Sequence, residues 1–179
     1  MVRVFVAIEL PEDVREKMSS IQEELKVSRA KMNFVNSAMS HITLKFIGEV
    51  DSSGLDRVKE ELKNVEFDRF TLRLKGVSLN STKVPRVVWI DGYDGGEMSS
   101  LNDNIENRLS PLGVPVEKRK FKIHATIARI KRFDPSLLPI VEKFSSEDFG
   151  EFEVSGFKLK KSTLLPDGPV YEDIMEVSF

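Results

Sequence analysis

The chain has two histidines, His41 and His124, and each is followed two positions later by a threonine. The sequence reads HITL from position 41 and HATI from position 124, and the 179 residues include only five threonines. In a β-strand, residues i and i+2 project from the same face. As strands, the two segments would each present an imidazole beside a hydroxyl, that of Thr43 or Thr126, above a base of apolar side chains.

Two imidazoles and two hydroxyls in one cleft suit in-line displacement at phosphorus. An unperturbed imidazole pKa of about 6.5 keeps both protonation states available near neutral pH, so one ring can act as base and the other as acid. The threonine hydroxyls can donate to the non-bridging phosphate oxygens and hold the phosphorus between the rings. The alternative is a pair of structural histidines, but the repeated tetrapeptide favours catalysis.

We expect neither a metal ion nor another cofactor. The chain has no cysteine, which excludes thiol nucleophiles, disulfides, iron–sulfur clusters and cysteine zinc sites. No His-x-x-x-His pair and no cluster of carboxylates has the spacing of metal ligands. The histidine pair is therefore predicted to work by proton transfer alone.

The composition predicts a soluble, cytoplasmic protein. A hydrophobic fraction of 40% is enough to build a core, so the chain is not expected to be disordered. Residues 1–10 are apolar but interrupted by charge, which argues against a signal peptide or a membrane span. No later segment approaches about 18 consecutive apolar residues. The absence of cysteine fits a reducing cytosol.

Positive charge is concentrated in three clusters, although the net charge is only −2. The clusters lie at residues 118–122, 129–132 and 158–161. A net charge this small gives no general attraction to nucleic acid, and charge runs are usually solvated surface. Because two of the clusters flank the second histidine segment, contacts with an anionic partner are the competing interpretation.

The elements that position the histidines follow one another twice along the chain. The periodicity predicts strands and helices in this order: strand 2–9, helix 11–27, strand 41–47, helix 53–62, strand 70–75, strand 87–90, helix 98–109, strand 121–130, helix 135–144, strand 152–159 and strand 170–177. Phe5 precedes His41 by 36 residues, and Trp89 precedes His124 by 35. These offsets predict an internal duplication of roughly 80 residues within a single domain, 1–179, with a pseudo-two-fold axis.

The two histidine segments resemble the paired His-x-Thr-x signatures of the 2H phosphoesterase superfamily. Their flanking residues are closest to the RNA 2′,3′-cyclic phosphodiesterase branch, also called 2′-5′ RNA ligase. Residues 5–11, 86–89 and 168–171 resemble that branch as well, so the resemblance spans nearly the full chain. It implies a bilobal α+β fold in which two antiparallel sheets with flanking helices surround a central cleft.

The resemblance also implies an activity. This is metal-independent hydrolysis of RNA 2′,3′-cyclic phosphate ends to 2′-phosphates, with a weak reverse 2′-5′ ligation of tRNA halves. We expect a monomer whose partner is RNA with such ends. The alternatives are a 2H enzyme acting on small cyclic nucleotides or 2′-5′ oligonucleotides, and a non-catalytic module that binds nucleotides or RNA ends.

Matched to the family pattern, His41 is the proton donor to the leaving 3′-oxygen, and His124 is the base that activates water. Thr43 and Thr126 match the phosphate-holding hydroxyls. The residues by themselves leave open which imidazole is the acid and which is the base.

Three further residues are predicted to bind substrate. Lys45 shares the face of His41 by strict alternation and can meet a phosphate, unless it is a solvated strand lysine. Arg129 matches the arginine of the family, but alternation turns it away from His124 unless a bulge redirects it. Phe34 stands where the family often has tryptophan and can stack on a base, with a packed core aromatic as the alternative.

Overall fold

The computed structural model describes residues 1–166 and 168–179, which form an α+β fold with two antiparallel sheets. The nine strands of the described residues are β1 Val2–Glu9, β2 Lys31–Phe34, β3 His41–Val50, β4 Phe70–Leu79, β5 Val87–Tyr93, β6 His124–Arg132, β7 Asp148–Val154, β8 Gly156–Leu165 and β9 Gly168–Ser178. The four α-helices are α1 Glu12–Leu25, α2 Ser52–Lys63, α3 Glu97–Leu109 and α4 Leu138–Lys143. Single 3₁₀ turns lie at Ser37–Met39, Ser110–Leu112 and Pro135–Leu137.

The two sheets share a common arrangement of three strands. The first sheet has the order β3-β1-β8-β9, and the second has the order β2-β6-β5-β4-β7. In each, a strand that begins with a histidine lies beside the aromatic strand that precedes it in sequence. The next strand, β8 or β4, comes from the other half of the chain. The predicted fold class, α+β with two antiparallel sheets, is confirmed.

One continuous core joins the helices to both sheets. The apolar stripe predicted for the first helix is buried in α1, at Val14, Met18, Ile21 and Leu25. Burial of each such side chain stabilises the fold by about 1.5–3 kcal/mol. α2 begins at the cap Asp51, whose side chain accepts a hydrogen bond from the Gly54 amide, and buries Val58 and Leu62. The helices therefore cover the apolar faces of the sheets and leave the histidine faces open.

A bulge in β3 reverses the alternation of its side chains. The register against β1 shifts between Thr43 and Lys45, so Leu44 is an extra residue. Leu44 and Lys45 are both buried, whereas Phe46 is 67% exposed. Side chains beyond a bulge change faces because two residues oppose one on the partner strand. The prediction that Lys45 shares the face of His41 is therefore wrong.

β6 carries the same bulge at the equivalent place. Its register against β5 shifts between Thr126 and Ala128, with Ile127 as the extra residue. Ile127 and Ala128 are both buried, and Arg129 is exposed. The bulge therefore returns Arg129 to the face of His124, which is the condition for Arg129 to act at the site.

Apart from strand ends that extend by two to four residues, the observed strands differ from the predicted ones in three places. β2 lies in a segment predicted to be a polar loop, and four residues are too few to show an alternating pattern. The single strand predicted at 152–159 is two strands, β7 and β8, separated only by Ser155. β6 begins at His124, three residues after the predicted start. None of the helices in the described residues is long and apolar enough to cross a membrane.

Candidate active site

Both histidine rings are held by the same backbone contact. The Nδ1 atom of His41 lies 3.0 Å from the carbonyl oxygen of Met39, and that of His124 lies 2.8 Å from the carbonyl oxygen of Lys122. In each case the carbonyl belongs to the residue two positions earlier. Because a carbonyl oxygen only accepts, Nδ1 carries the proton and donates it. Nε2 is thereby left as the nitrogen that can exchange a proton with a substrate.

The two threonines lie beside the histidines, as the alternation predicts. Thr43 and Thr126 are half-buried and are each two residues from their histidine, before the bulge. Within the described parts of the chain, neither hydroxyl hydrogen-bonds to another residue. Each hydroxyl is therefore available to donate to an anionic ligand.

One arginine is shared by the two histidines. β3 and β6 contact each other, although they belong to different sheets. Arg129 lies on the face of His124 in β6, and its positive charge acts to lower the pKa of both His41 and His124. In residues 1–166 and 168–179, no carboxylate forms a salt bridge with it. The two halves of the chain thus bring two imidazoles, two hydroxyls and one cation to the contact between β3 and β6.

Burial lowers the pKa of both imidazoles below the ordinary value for histidine. The hydrogen bonds from Nδ1 to the carbonyls of Met39 and Lys122 act in the opposite direction, because a charged ring donates more strongly. The charge of Arg129 adds to the lowering of the pKa at both sites. Near neutral pH the rings therefore favour the uncharged form until an anion arrives.

A carboxylate faces each histidine from the neighbouring strand. Glu9 pairs with His41 across β1 and β3, and Asp91 pairs with His124 across β5 and β6. Both carboxylates act to raise the pKa of the adjacent imidazole, against the larger effect of burial. The acidic partners were not identified from the sequence. A signal was present, because each acid lies at or near the end of the aromatic strand that precedes its histidine.

The two carboxylates differ in how they are neutralised. Glu9 accepts salt bridges from Lys160 at 2.7 Å and Lys158 at 2.9 Å, and both lysines also bond to Asp173. Bonds to Asp173 and Glu9 raise the pKa of Lys158. Among the described residues, Asp91 has one cationic partner, the exposed Lys122. Glu9 therefore belongs to a four-residue charge network, which fixes its position beside the first imidazole.

An aromatic cluster surrounds the first histidine. The ring centroid of His41 lies 5.0 Å from that of Phe5 and 5.2 Å from that of Tyr171. Phe46 lies 6.1 Å from Phe5 and is 67% exposed. Strict alternation from His41 would turn Phe46 into the core, so only the bulge in β3 brings this ring to the surface. An exposed ring beside Phe5, which itself packs against the imidazole, can stack on a nucleobase.

A polar network surrounds the second histidine. The ring of Trp89 lies 4.4 Å from that of His124, and its Nε1 donates to Ser78 Oγ at 2.9 Å. Ser78 donates in turn to Asp91 at 2.6 Å. The Lys122 ammonium lies 4.8 Å from the Trp89 ring centroid and 3.2 Å from Asp91. The polar groups of Trp89, Ser78, Asp91 and Lys122 are thus each held by a partner.

Lys45 is part of the core and does not reach the site. Its side chain is 4% exposed and forms a salt bridge of 2.6 Å with Glu106 of α3. It also donates to the carbonyl oxygen of Pro115, in the segment that leads to β6. The prediction that Lys45 binds a phosphate is wrong, because the bulge turns it to the buried face.

Phe34 also faces away from the histidines. It pairs with the buried Ala128 across β2 and β6, and it packs against the core. The ammonium of Lys26, just after α1, lies 5.6 Å from its ring centroid. The prediction that Phe34 stacks on a base is wrong, and the alternative of a packed core aromatic describes it.

In the described residues, no group of three or more His, Asp or Glu side chains is placed to hold a metal ion. The groups at the contact between β3 and β6 can nevertheless perform acid–base chemistry by themselves. Two imidazoles with free Nε2 atoms can take up and release a proton. Two hydroxyls and a guanidinium can hold an anion such as a phosphodiester.

Two curated relatives match almost the whole chain. A protein of Archaeoglobus fulgidus named RNA 2′,3′-cyclic phosphodiesterase is 42% identical over 174 residues, covering 96% of this chain and 97% of that protein. A protein of the same name from Methanocaldococcus jannaschii is 38% identical, with coverage of 97% and 99%.

Solved structures share the fold over the same length. The crystal structure of TT0787 of Thermus thermophilus superposes with a TM-score of 0.84 at 28% identity, covering 98% of this chain and 97% of the other. E. coli LigT complexed with 3′-AMP gives a TM-score of 0.79 at 22% identity, with coverage of 99% and 98%. The family model of LigT-like phosphoesterases matches residues 8–89 and 94–171, and each matched segment contains one histidine motif. The chain therefore belongs to the LigT-like phosphoesterase family.

Proposed function

We propose that this protein hydrolyses the 2′,3′-cyclic phosphate at the end of an RNA chain to a 2′-phosphate, without a metal ion. The observation that carries the proposal is the pair of imidazoles, His41 and His124, on two strands that contact each other, each with Nδ1 bonded to the backbone and Nε2 left for proton exchange. The relatives named RNA 2′,3′-cyclic phosphodiesterase support the choice of substrate.

The proposed reaction is an in-line displacement at phosphorus. Nε2 of His124 accepts a proton from water as the water oxygen attacks the phosphorus. The bond from phosphorus to the 3′-oxygen breaks, and His41 donates a proton to that oxygen. Thr43, Thr126 and Arg129 bind the non-bridging oxygens, where negative charge increases in the transition state. The assignment of acid and base follows the family resemblance.

Weak ligation follows from the same geometry. A 5′-hydroxyl group in place of water would attack the same phosphorus and give a 2′-5′ linkage between two RNA ends. Water outcompetes the 5′-hydroxyl group unless the second RNA end is bound close to the site.

The exposed ring of Phe46 is the surface we assign to the base of the terminal nucleotide.

The identity of the product tests the proposed function. We expect an oligoribonucleotide with a 2′,3′-cyclic phosphate to give only the 2′-phosphate, in the presence of EDTA, because the proposed acid–base pair needs no metal ion. Products are separated by chromatography against synthetic 2′- and 3′-phosphate standards. Formation of the 3′-phosphate, or loss of activity on chelation, would contradict the proposed reaction.

The pH dependence of kcat/KM is expected to reflect the lowered pKa of both imidazoles. A bell-shaped profile with an optimum on the acid side of the ordinary histidine pKa is expected, because burial lowers the pKa of His41 and of His124. Removal of a nearby carboxylate makes the charged imidazole less favourable and lowers its pKa further. Asp91→Asn should therefore move one limb of the profile to lower pH, and Glu9→Gln should move the other limb in the same direction.

The control for the pH experiment is an acid far from both rings. Glu60→Gln, on the exposed surface of α2, should leave the two limbs where they are. If Asp91→Asn and Glu9→Gln shifted the same limb, or neither limb, the two imidazoles would not be the two titrating groups.

A further inference from the structure

The three basic clusters of the sequence differ in how their charges are neutralised. In the third cluster, Lys158 and Lys160 bond to Glu9 and Asp173, and Lys161 bonds to Glu172 at 2.6 Å. These lysines belong to salt bridges that hold β8 to its neighbours. Their charges are therefore committed to carboxylates and are poorly placed to attract a further anion.

Three residues of the first cluster are exposed and, among the described residues, have no such partners, whereas Lys122 lies 3.2 Å from Asp91. Lys118, Arg119 and Lys120, which we call the basic loop, are all exposed and lie between Leu112 and β6. Within the described residues, none of the three forms a salt bridge. The nearby carboxylate of Glu117 accepts a hydrogen bond from the backbone amide of Arg119. Three adjacent positive charges therefore face solvent without a described acidic partner.

The basic loop runs directly into the second histidine motif. Lys122 provides the carbonyl that holds His124, and its ammonium lies on the ring of Trp89. Lys120 is four residues before His124, so their Cα atoms are at most about 14 Å apart. Lys131, in the second cluster, lies about 23 Å along β6 from His124 at the usual strand rise. Arg129 of the second cluster already belongs to the site, so of the other cations without a described acidic partner, those of the basic loop lie closer to His124 than Lys131 does.

We propose that the basic loop binds the backbone phosphates of the single-stranded RNA that precedes the cyclic phosphate. This inference rests on the proposed function, which places the terminal phosphate between His41 and His124. An RNA whose terminal phosphate is bound there extends away from the site with its upstream nucleotides. The basic loop provides positive charges that can contact the phosphates of those nucleotides. Such contacts strengthen binding without touching the reacting atoms. The loop is therefore a determinant of preference for oligonucleotides over mononucleotides.

The test compares two substrates in one loop variant. We expect K118Q/R119Q/K120Q to lower kcat/KM for a 10-nucleotide RNA with a 2′,3′-cyclic phosphate by on the order of 10- to 100-fold at low salt, through KM. Its kcat/KM for 2′,3′-cyclic AMP should stay unchanged, since a mononucleotide has no upstream phosphates. The salt dependence for the oligonucleotide should become shallower by about 2 in log–log slope, from about 0.7 per lost contact.

Two matched variants test whether any loss of positive charge has the same effect and whether the position of the charges matters. R57Q/K59Q/K63Q removes three charges from α2, which packs on the buried face of β3 opposite His41, and it should leave both substrates unaffected. K131Q/R132Q removes the charges at the far end of β6 and should have the smaller effect on the oligonucleotide. A larger loss with K131Q/R132Q, an equal loss with the α2 variant, or an equal loss on both substrates would overturn the assignment.

A binding measurement separates this inference from the proposed function. Fluorescence anisotropy with a labelled 10-nucleotide RNA ending in a 2′-phosphate needs no turnover, and the loop variant should bind it on the order of 10-fold more weakly than the wild type. Weaker binding in that variant, together with no hydrolysis by the wild type, would retain the basic loop and reject the proposed reaction. Unchanged binding would reject the basic loop whatever the outcome for hydrolysis.

Discussion

Alanine in place of His41 or His124 is expected to lower the turnover of an RNA 2′,3′-cyclic phosphate by about 10³-fold or more. General acid–base catalysis by one positioned group contributes roughly 10²- to 10⁴-fold. Both rings act in the same chemical step, so when one ring is lost the other contributes little to the rate. The double variant should therefore be only slightly slower than either single variant, since groups that act as a unit are not additive. Single-turnover rates at saturating enzyme measure the effect on chemistry.

Folding and binding provide the controls for these variants. Both rings are only half-buried, so each variant should keep a cooperative thermal transition close to that of the wild type. Binding of an RNA that ends in a 2′-phosphate should weaken much less than the rate falls, because Thr43, Thr126 and Arg129 remain. A well-folded His41→Ala or His124→Ala protein with a wild-type rate would eliminate the two-imidazole mechanism.

The residues nearest the histidines could be predicted because alternation holds over short distances. Two positions after each histidine, the threonine lies on the same face in both strands. The bulges then break the pattern, and every error at the site follows from them or from a short strand. Lys45 and Phe46 exchange faces, and Arg129 returns to the site. A bulge depends on the partner strand, so neither the bulge nor the new direction of these side chains can be read from one segment alone.

The periodicity of the sequence cannot predict which strands join each sheet. The spacing of Phe5, Trp89 and the two histidines indicates a repeated order of elements, and the internal duplication stays a prediction. In that prediction β1 and β3 correspond to β5 and β6. The structure adds that β8 joins the first sheet and β4 the second. Amphipathic strands of equal length, such as β4 and β8, fit either sheet. Only the tertiary packing therefore determines that each of them joins the sheet of the other half. Because of it, neither half of the sequence can complete a sheet by itself.

The register across strands also explains the acids that sequence reasoning missed. Glu9 faces His41 only because two shifts in the pairing of β1 with β3 bring them together. Asp91 faces His124 after one shift in the pairing of β5 with β6. Glu9 precedes His41 by 32 residues and Asp91 precedes His124 by 33, so the spacing is nearly common, but spacing alone does not show which residues pair across two strands. The two halves therefore share both the charge and the approximate position of these acids, and the structure adds their pairing with the histidines.

The largest expected effect on stability is at the buried salt bridge between Lys45 and Glu106. The two side chains are 4% and 10% exposed, and the pair joins β3 to α3. Lys45→Ala would leave the carboxylate of Glu106 buried without its cation. Breaking one side of a buried pair costs about 3–5 kcal/mol, which is a large part of the roughly 5–15 kcal/mol by which a domain is stable. The free energy of unfolding, from urea denaturation, should fall by that amount.

A double variant distinguishes this cause from simple loss of packing. Lys45→Met with Glu106→Leu fills the same space with apolar groups, and it should recover most of the lost free energy, since replacing both partners of a buried pair is often neutral. The exposed pair of Lys26 and Glu23, with side chains 50% and 70% exposed, is the control. Lys26→Ala there should cost no more than about 1 kcal/mol. A Lys45→Ala protein as stable as the Lys26→Ala protein would mean that water reaches Glu106. The bulge of β3 would then be held by the backbone alone.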